Sequence, residues 1–289
     1  MMPRRVAPWV VFTDLDGTLL DHETYRWDAA APALDALRRL HIPLVIVTSK
    51  TWAEVRPLQR GLRRREPVIV ENGGAIYVPQ EYFPFWIENS APAARGWLRV
   101  ALGTPRQRLL RAIAGASQAA GVKVRSFAAM DVREIARRTG LPLTEARRAA
   151  RREFDEPFVI LDSDPRAPAR LKDQIRRRGF ALTRGSRFFH ILGGNDKGEA
   201  VRKLTGWFHR ALGAEARTMG FGDSPNDIPL LKAVDVPILV ARPNGRYDAE
   251  TWAAVPRLRR AGGIGPEGWN RALTKLLRRA EDRGSLLAL

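Results

Sequence analysis

The stretch Val10-Val11-Phe12-Thr13-Asp14-Leu15-Asp16-Gly17-Thr18 ends an apolar run at two carboxylates, a glycine and a hydroxyl. Carboxylates that close repel one another unless a cation or a proton separates them, so the spacing asks for a metal ion or for divided acid and base roles. The apolar half reads as a buried strand. In open α/β sheets ligands bind beyond the carboxyl ends of the strands, which is where Asp14 and Asp16 then lie, with Gly17 permitting a sharp turn. Three further strand-like runs finish in polar or glycine-rich turns: Thr48-Ser49-Lys50, Glu71-Asn72-Gly73-Gly74 and Gly222-Asp223-Ser224-Pro225-Asn226-Asp227. Lys197 follows a glycine-rich turn and opens a helix, where free N–H groups and the helix dipole favour an anion. Asp227 also reads as a helix N-terminal residue.

These positions need a scaffold, and the pattern between them supplies one. Residues 27–40 carry apolar side chains at helical spacing between strands at 10–12 and 42–47, a βαβ unit whose strands should run parallel. Thr51 caps a helix to about residue 64, and a third strand covers 67–70. Residues 75–102 are short and aromatic, suggesting hairpins at the sheet margin. Residues 104–188 have their own alternation: helices at 132–138, 144–154 and 168–178, with strands at 122–127 and 158–162. Pro157 should stop the second of these helices. Strand material over 180–192 and a closing helix over 269–279 complete the reading. The expectation is an α/β protein with a Rossmann-like, mostly parallel core over 1–103 and 189–289, and a smaller α+β insert over 104–188.

Composition narrows the chemistry. The 289 residues include no cysteine and four scattered histidines, so any metal must be held by oxygen. No apolar run approaches the about 18 residues that span a bilayer, and a cytoplasmic protein is expected. Lys and Arg exceed Asp and Glu by 49 − 31 = 18, which raises nucleic-acid binding as a second class of function. The arginines, however, lie in helical-looking segments and are not interleaved with aromatics as in a single-strand binder.

In order and spacing, Asp14-Leu15-Asp16-Gly17-Thr18, Thr48, Lys197 and Gly222 to Asp227 resemble the four motifs of the haloacid dehalogenase superfamily of phosphohydrolases, and the insert resembles its type-2 cap. Val47 to Thr51, Glu71 to Gly74, Arg152 to Pro157 and Phe189 to Gly198 resemble mannosyl-3-phosphoglycerate phosphatases, over essentially the whole chain. The resemblance implies Asp14 as nucleophile and Asp16 as general acid/base. It implies Thr48, Ser49, Lys197 and Asn226 around the phosphoryl group, and Mg²⁺ held by Asp14, the Asp16 carbonyl and Asp223, with Asp227 in support. The implied substrate is a small phosphorylated sugar-glycerate. Glucosyl-3-phosphoglycerate, sucrose phosphate or another sugar phosphate are the rival substrates, and a basic nucleic-acid-binding protein on the same fold is the rival of another class.

A glycosyl-phosphoglycerate carries a carboxylate and hydroxyls, so the cap should offer cations and acceptors. Arg152, Glu153 and Glu156 are expected to do so from one side, and Arg187 and His190 from the other, with Asn72 also near the substrate.

Overall fold

The computed structural model describes residues 8–94, 96–184 and 188–282. The first half of the chain gives β1 (Trp9–Thr13), α1 (Ala31–Arg39), β2 (Leu44–Val47), α2 (Trp52–Gly61), β3 (Val68–Val70), β4 (Ala75–Pro79), β5 (Ser90–Pro92) and β6 (Trp97–Ala101). Then come α3 (Arg106–Ala120), β7 (Val124–Ser126), α4 (Val132–Thr139), α5 (Leu143–Ala149), β8 (Asp155–Ile160), α6 (Ala167–Arg177), β9 (Ala181–Arg184) and β10 (Phe189–Leu192). The chain closes with α7 (Lys197–Leu212), β11 (Arg217–Gly222), α8 (Ile228–Lys232), β12 (Val236–Ala241), α9 (Ala249–Ala254), β13 (Arg259–Ile264) and α10 (Gly265–Asp282).

Among the described residues the strands form two sheets. The larger has the order β13-β12-β11-β1-β2-β3-β4-β6-β5, parallel from β13 to β3 and antiparallel beyond. β1 and β2 are buried along their whole length, and β11 from Thr218 onward, as a strand covered on both faces requires. One face packs Leu15, Leu37, Ile46 and Trp269 together, and the other packs Phe12, Val45, Val201 and Phe208. The smaller sheet has the order β7-β8-β10-β9, all antiparallel, with α3 and α6 packed on Phe158 and Ile191. No helix among the described residues is long and apolar enough to cross a membrane.

Three expectations are corrected. The helix expected over 144–154 ends at Ala149, and the next strand begins at Asp155, not 158. Pro157 therefore lies inside β8, opposite His190, at a position that β7 leaves unpaired, where the missing N–H costs nothing. β10 pairs with β8 and β9, so the sheet of the insert runs to Leu192, past the boundary expected at 188. β13 and α9 carried no sequence signal strong enough to be expected.

The tightest constraint joins the end of β3 to the start of α7. Glu71, Asn72 and Gly73 take successive positive φ angles of 49°, 57° and 88°. A Cβ on Gly73 would lie 2.1 Å from the carbonyl oxygen of Asp196, the residue that caps α7 by accepting from the Glu199 N–H at 2.7 Å. Gly73→Ala should thus cost about 1–3 kcal/mol or more, a fall of several degrees in Tm by calorimetry, together with loss of activity because Lys197 begins that helix.

Candidate active site

β11, β1, β2 and β3 lie side by side and parallel, so Asp223, Asp14, Thr48 and Glu71 emerge at one edge of the sheet. The turn after Asp16 brings Gly17 against Asp223. A Cβ there would sit 3.0 Å from the Asp223 carboxylate, and φ is +80°, so glycine is what lets the two turns meet. Lys197 reaches the same point from the start of α7. Its Nζ donates to Asp14 Oδ1 and to Asp227 Oδ1, both at 2.7 Å, and its side chain is 1% exposed.

Asp14, Asp223 and Asp227 each offer an oxygen within 4.8 Å of the others, and all three are buried. One ammonium cannot balance three carboxylates. Burial, and then the charge of Asp227, push the Asp14 carboxyl up to about 7 against the pull of Lys197. Burial, and then Asp227 and Asp14, push the Asp223 carboxyl well above its ordinary value. For Lys197 burial acts to lower the pKa, but Asp14 and Asp227 overcome it and hold the proton on. An all-oxygen cluster deficient in positive charge fits a hard divalent cation such as Mg²⁺. The free oxygens decide which residues could hold it. Asp227 is the most heavily engaged, because Oδ1 accepts from Lys197 and Oδ2 from the N–H groups of Asp223 and Ser224 and the Ser224 hydroxyl. Asp14 and Asp223 are the carboxylates left available, and Asp227 supports them.

Asp16 pairs with Lys50 at 2.9 Å, while its Oδ1 is buried without a hydrogen-bond partner among the described residues. Burial works against the charge of Lys50, and Asp16 and Glu54 outweigh it, so the ammonium is retained. Thr48 is fully buried, its hydroxyl accepting from the Lys50 N–H at 3.1 Å; Ser49 lines the cleft above. Asn226 also lines the cleft and donates to Asn72 Oδ1 at 2.9 Å. This cleft, of about 910 Å³, separates Asp14, Asp16 and Asp223 from Lys172, Thr183 and Arg184 of the smaller unit. A second chamber of about 120 Å³ opens behind Asp16 and contains Arg152 and His190.

The haloacid dehalogenase-like hydrolase family matches residues 11–86. A protein from Methanococcoides burtonii named glucosyl-3-phosphoglycerate/mannosyl-3-phosphoglycerate phosphatase is 41% identical over 268 residues, 93% of this chain and 97% of the relative. One of the same name from Persephonella marina is 39% identical over 273 residues, 94% and 98% of the two chains. The chain belongs to the haloacid dehalogenase-like hydrolases. A phosphatase of that superfamily from Bacteroides thetaiotaomicron shares the fold at a TM-score of 0.63 and 19% identity, over 96% of this chain and 97% of the other.

Within this hydrolase the expected substrate residues divide. Asn72, Arg152 and His190 converge on Asp155: Asn72 Nδ2 and Arg152 Nη1 donate to its Oδ2 at 3.0 Å each, and His190 Nδ1 lies 2.9 Å away. Glu153 and Glu156 line neither the cleft nor the chamber. Glu153 accepts from the Tyr77 hydroxyl at 2.7 Å and pairs with Arg99, holding the smaller unit to β4 and β6. Glu156 is fully buried and accepts from Arg106 and the Ala128 N–H. The physical reason is the early start of β8, because alternate residues of a strand face opposite sides, so Asp155 and Pro157 turn to the chamber and Glu156 away. Arg187 lies outside the described residues. Lys50, Asp155, Lys172, Arg184 and Arg242 were missed. Lys50 alone had a signal, its place at the end of the second strand.

Glu71 ties the two units directly. Its carboxylate accepts from the N–H groups of Glu153 and Phe154, yet burial pushes its carboxyl up to about 7, only partly opposed by Arg152 and those N–H groups. A folded-state pKa above the ordinary 4.5 means that this stabilisation is fully present below about pH 4.5 and is lost as the pH rises through about 7. Glu71→Gln cannot ionise, so its Tm relative to wild type should climb between pH 5 and pH 8. A difference that stays constant across that range would refute the sign.

Proposed function

We propose that this chain is a Mg²⁺-dependent phosphatase that hydrolyses mannosyl-3-phosphoglycerate to mannosylglycerate and phosphate, with glucosyl-3-phosphoglycerate as the alternative substrate of the same shape. The observation that carries the reading is the salt bridge of Lys197 to Asp14 at a parallel strand end, with Asp16 and Asp223 beside Asp14 on the floor of one cleft. The two relatives near 40% identity supply the substrate class.

In this reading Asp14 Oδ2, the oxygen not held by Lys197, attacks phosphorus. The bond from phosphorus to the alcohol oxygen breaks as an aspartyl-phosphate forms, and Asp16 gives its proton to the departing alkoxide. Asp16 then takes a proton from the water that attacks the same phosphorus, which releases phosphate and restores Asp14. Lys197 and the Thr48-Ser49 turn hold the phosphoryl oxygens, and Asp227 keeps Lys197 in place. Mg²⁺, held by Asp14, the Asp16 carbonyl and Asp223, would neutralise charge on the transferring group. Residues 104–192 serve as the cap that excludes water, leaving the 910 Å³ cleft for the sugar. A nucleic-acid backbone is a poor partner for the acidic floor of this cleft, whatever the net charge of the chain.

Asp14→Asn should lower kcat by about 10³-fold or more, since the amide is neither a nucleophile nor an anionic ligand. Asp16→Asn should lose about 10²–10⁴-fold with a sugar-glycerate substrate and less with an aryl phosphate, whose leaving group needs no proton. Chelation should abolish turnover and Mg²⁺ restore it. Calorimetry adds a readout independent of activity: Mg²⁺ should raise the Tm of wild type and leave Asp223→Asn unmoved.

A further inference from the structure

We infer that the chamber behind Asp16 is a carboxylate subsite, in which Arg152 and His190, both held by Asp155, bind the acid group of the leaving alcohol. The inference rests on the role just proposed for Asp16 as the acid that protonates that alcohol.

The chamber shares Asp16, His22 and Ser49 with the large cleft, so the two meet where the phosphorus–oxygen bond would break. At about 120 Å³ it is far smaller than the 910 Å³ cleft, which suits a small group such as a carboxylate better than the sugar. Its wall contains an unused donor. The Arg152 side chain is 6% exposed; Nη1 donates to Ser49 O and to Asp155 Oδ2, each at 3.0 Å, while Nε is buried with no hydrogen-bond partner among the described residues. Arg64 and Arg99 also have a buried Nε without a partner, but of the three only Arg152 lines this chamber, and a carboxylate is the acceptor that matches guanidinium geometry. His190 presents the second donor. Its Nδ1 lies 2.9 and 3.0 Å from the two oxygens of Asp155 and donates to them, so Nε2 donates to a bound carboxylate when the ring carries its second proton.

Asp155 is a positioning residue. It is fully buried and accepts from Arg152 and Asn72, with His190 Nδ1 against the same carboxylate, and Asn72 in turn accepts from Asn226. Burial alone would raise its carboxyl, but His190 and then Arg152 lower it, so the anion that orients them persists. Lys50 is committed elsewhere, to Asp16. In a 3-phosphoglycerate substituted at C2, the oxygen leaving phosphorus is on C3 and the carboxylate is two carbons on. With C3 at Asp16, the carboxylate reaches the chamber and the C2 sugar stays in the cleft.

The test uses the full chain with Mg²⁺ and a small aryl phosphate as reporter. D-Glycerate should inhibit competitively, with glycerol at least about 10-fold weaker. Arg152→Lys should raise the Ki of D-glycerate about 10-fold or more, and should reduce kcat/KM for mannosyl-3-phosphoglycerate at least 10-fold more than for the aryl phosphate. His190→Asn, which touches no contact to Ser49, should repeat both effects should the arginine variant fail to fold. Asp155→Asn should raise KM and the Ki of D-glycerate more than it lowers kcat. Equal inhibition by glycerol and D-glycerate, or equal losses on both substrates, would overturn the subsite. Calorimetric binding of D-glycerate to Asp14→Asn separates the two readings: binding without turnover of any phosphate ester by wild type retains the subsite and rejects the phosphatase, whereas turnover of mannosyl-3-phosphoglycerate with no D-glycerate preference does the reverse.

Discussion

A buried ammonium shared between two carboxylates is the contact on which the rest of the molecule depends. Lys197 Nζ lies 2.7 Å from both Asp14 and Asp227, with almost no access to solvent. Removing one partner from such a pair typically costs about 3–5 kcal/mol, because the remaining charge is left buried and unbalanced. The geometry draws on three distant parts of the chain. β1 delivers Asp14, the turn after β11 delivers Asp227, and the capped start of α7 delivers the lysine. Asp227 is fixed by four hydrogen bonds, so the lysine can shift little without breaking the turn that also carries Asp223.

Two consecutive non-glycine residues with positive φ, Glu71 and Asn72, lie in the turn between β3 and β4, which contacts the smaller unit. Glu71 and Asn72 hold left-handed backbone conformations without being glycine, each disfavoured by about 1–3 kcal/mol. Both side chains gain contacts that only this conformation provides. Glu71 accepts two N–H groups at the start of β8, and Asn72 bridges Asn226 of the larger unit to Asp155 of the smaller. The glycines that follow allow close approach, with Phe154 packed over Gly74 and Gly103 and the Asp196 carbonyl over Gly73.

Much of the larger unit was legible because its information is local. A buried parallel strand is a run of β-branched residues, and its polar C-terminal turn follows at once, so Asp14, Thr48, Asn72 and Asp223 could be placed at one edge without coordinates. The smaller unit was less legible because its decisive feature is a register. Arg147 to Glu156 has helix-forming composition and charge, and nothing in that composition marks Ala149 as the helix end. Phe154 is pulled into the first core cluster, which straightens the chain early and makes Asp155, not Glu156, the residue that faces the site. The expected strand began only at 158, so residues 155 and 156 had no face assigned, and Asp155 was missed and Glu156 was misplaced together. Lys172, Arg184 and Arg242 line the cleft only through tertiary packing of α6, β9 and the loop after β12, which no spacing along the chain reveals.

Charge balance and nucleophilicity are a single problem in this site. A formal charge of +18 attracts anions at a distance, but beyond about 8 Å physiological salt screens that field, and at the floor of the cleft the nearest charges are acidic. The crowding of Asp227 and the loss of solvent hold the Asp14 proton up to about pH 7, and a protonated carboxyl does not attack phosphorus. Lys197 cannot correct this, because its one charge is divided between Asp14 and Asp227. Additional positive charge beside Asp14 and Asp223 lowers both carboxyls at once and removes the repulsion that an incoming phosphate dianion would meet. In the proposed mechanism the nucleophile is thus conditional: the three acids that would hold a cation also keep part of Asp14 protonated at neutral pH until that charge is supplied.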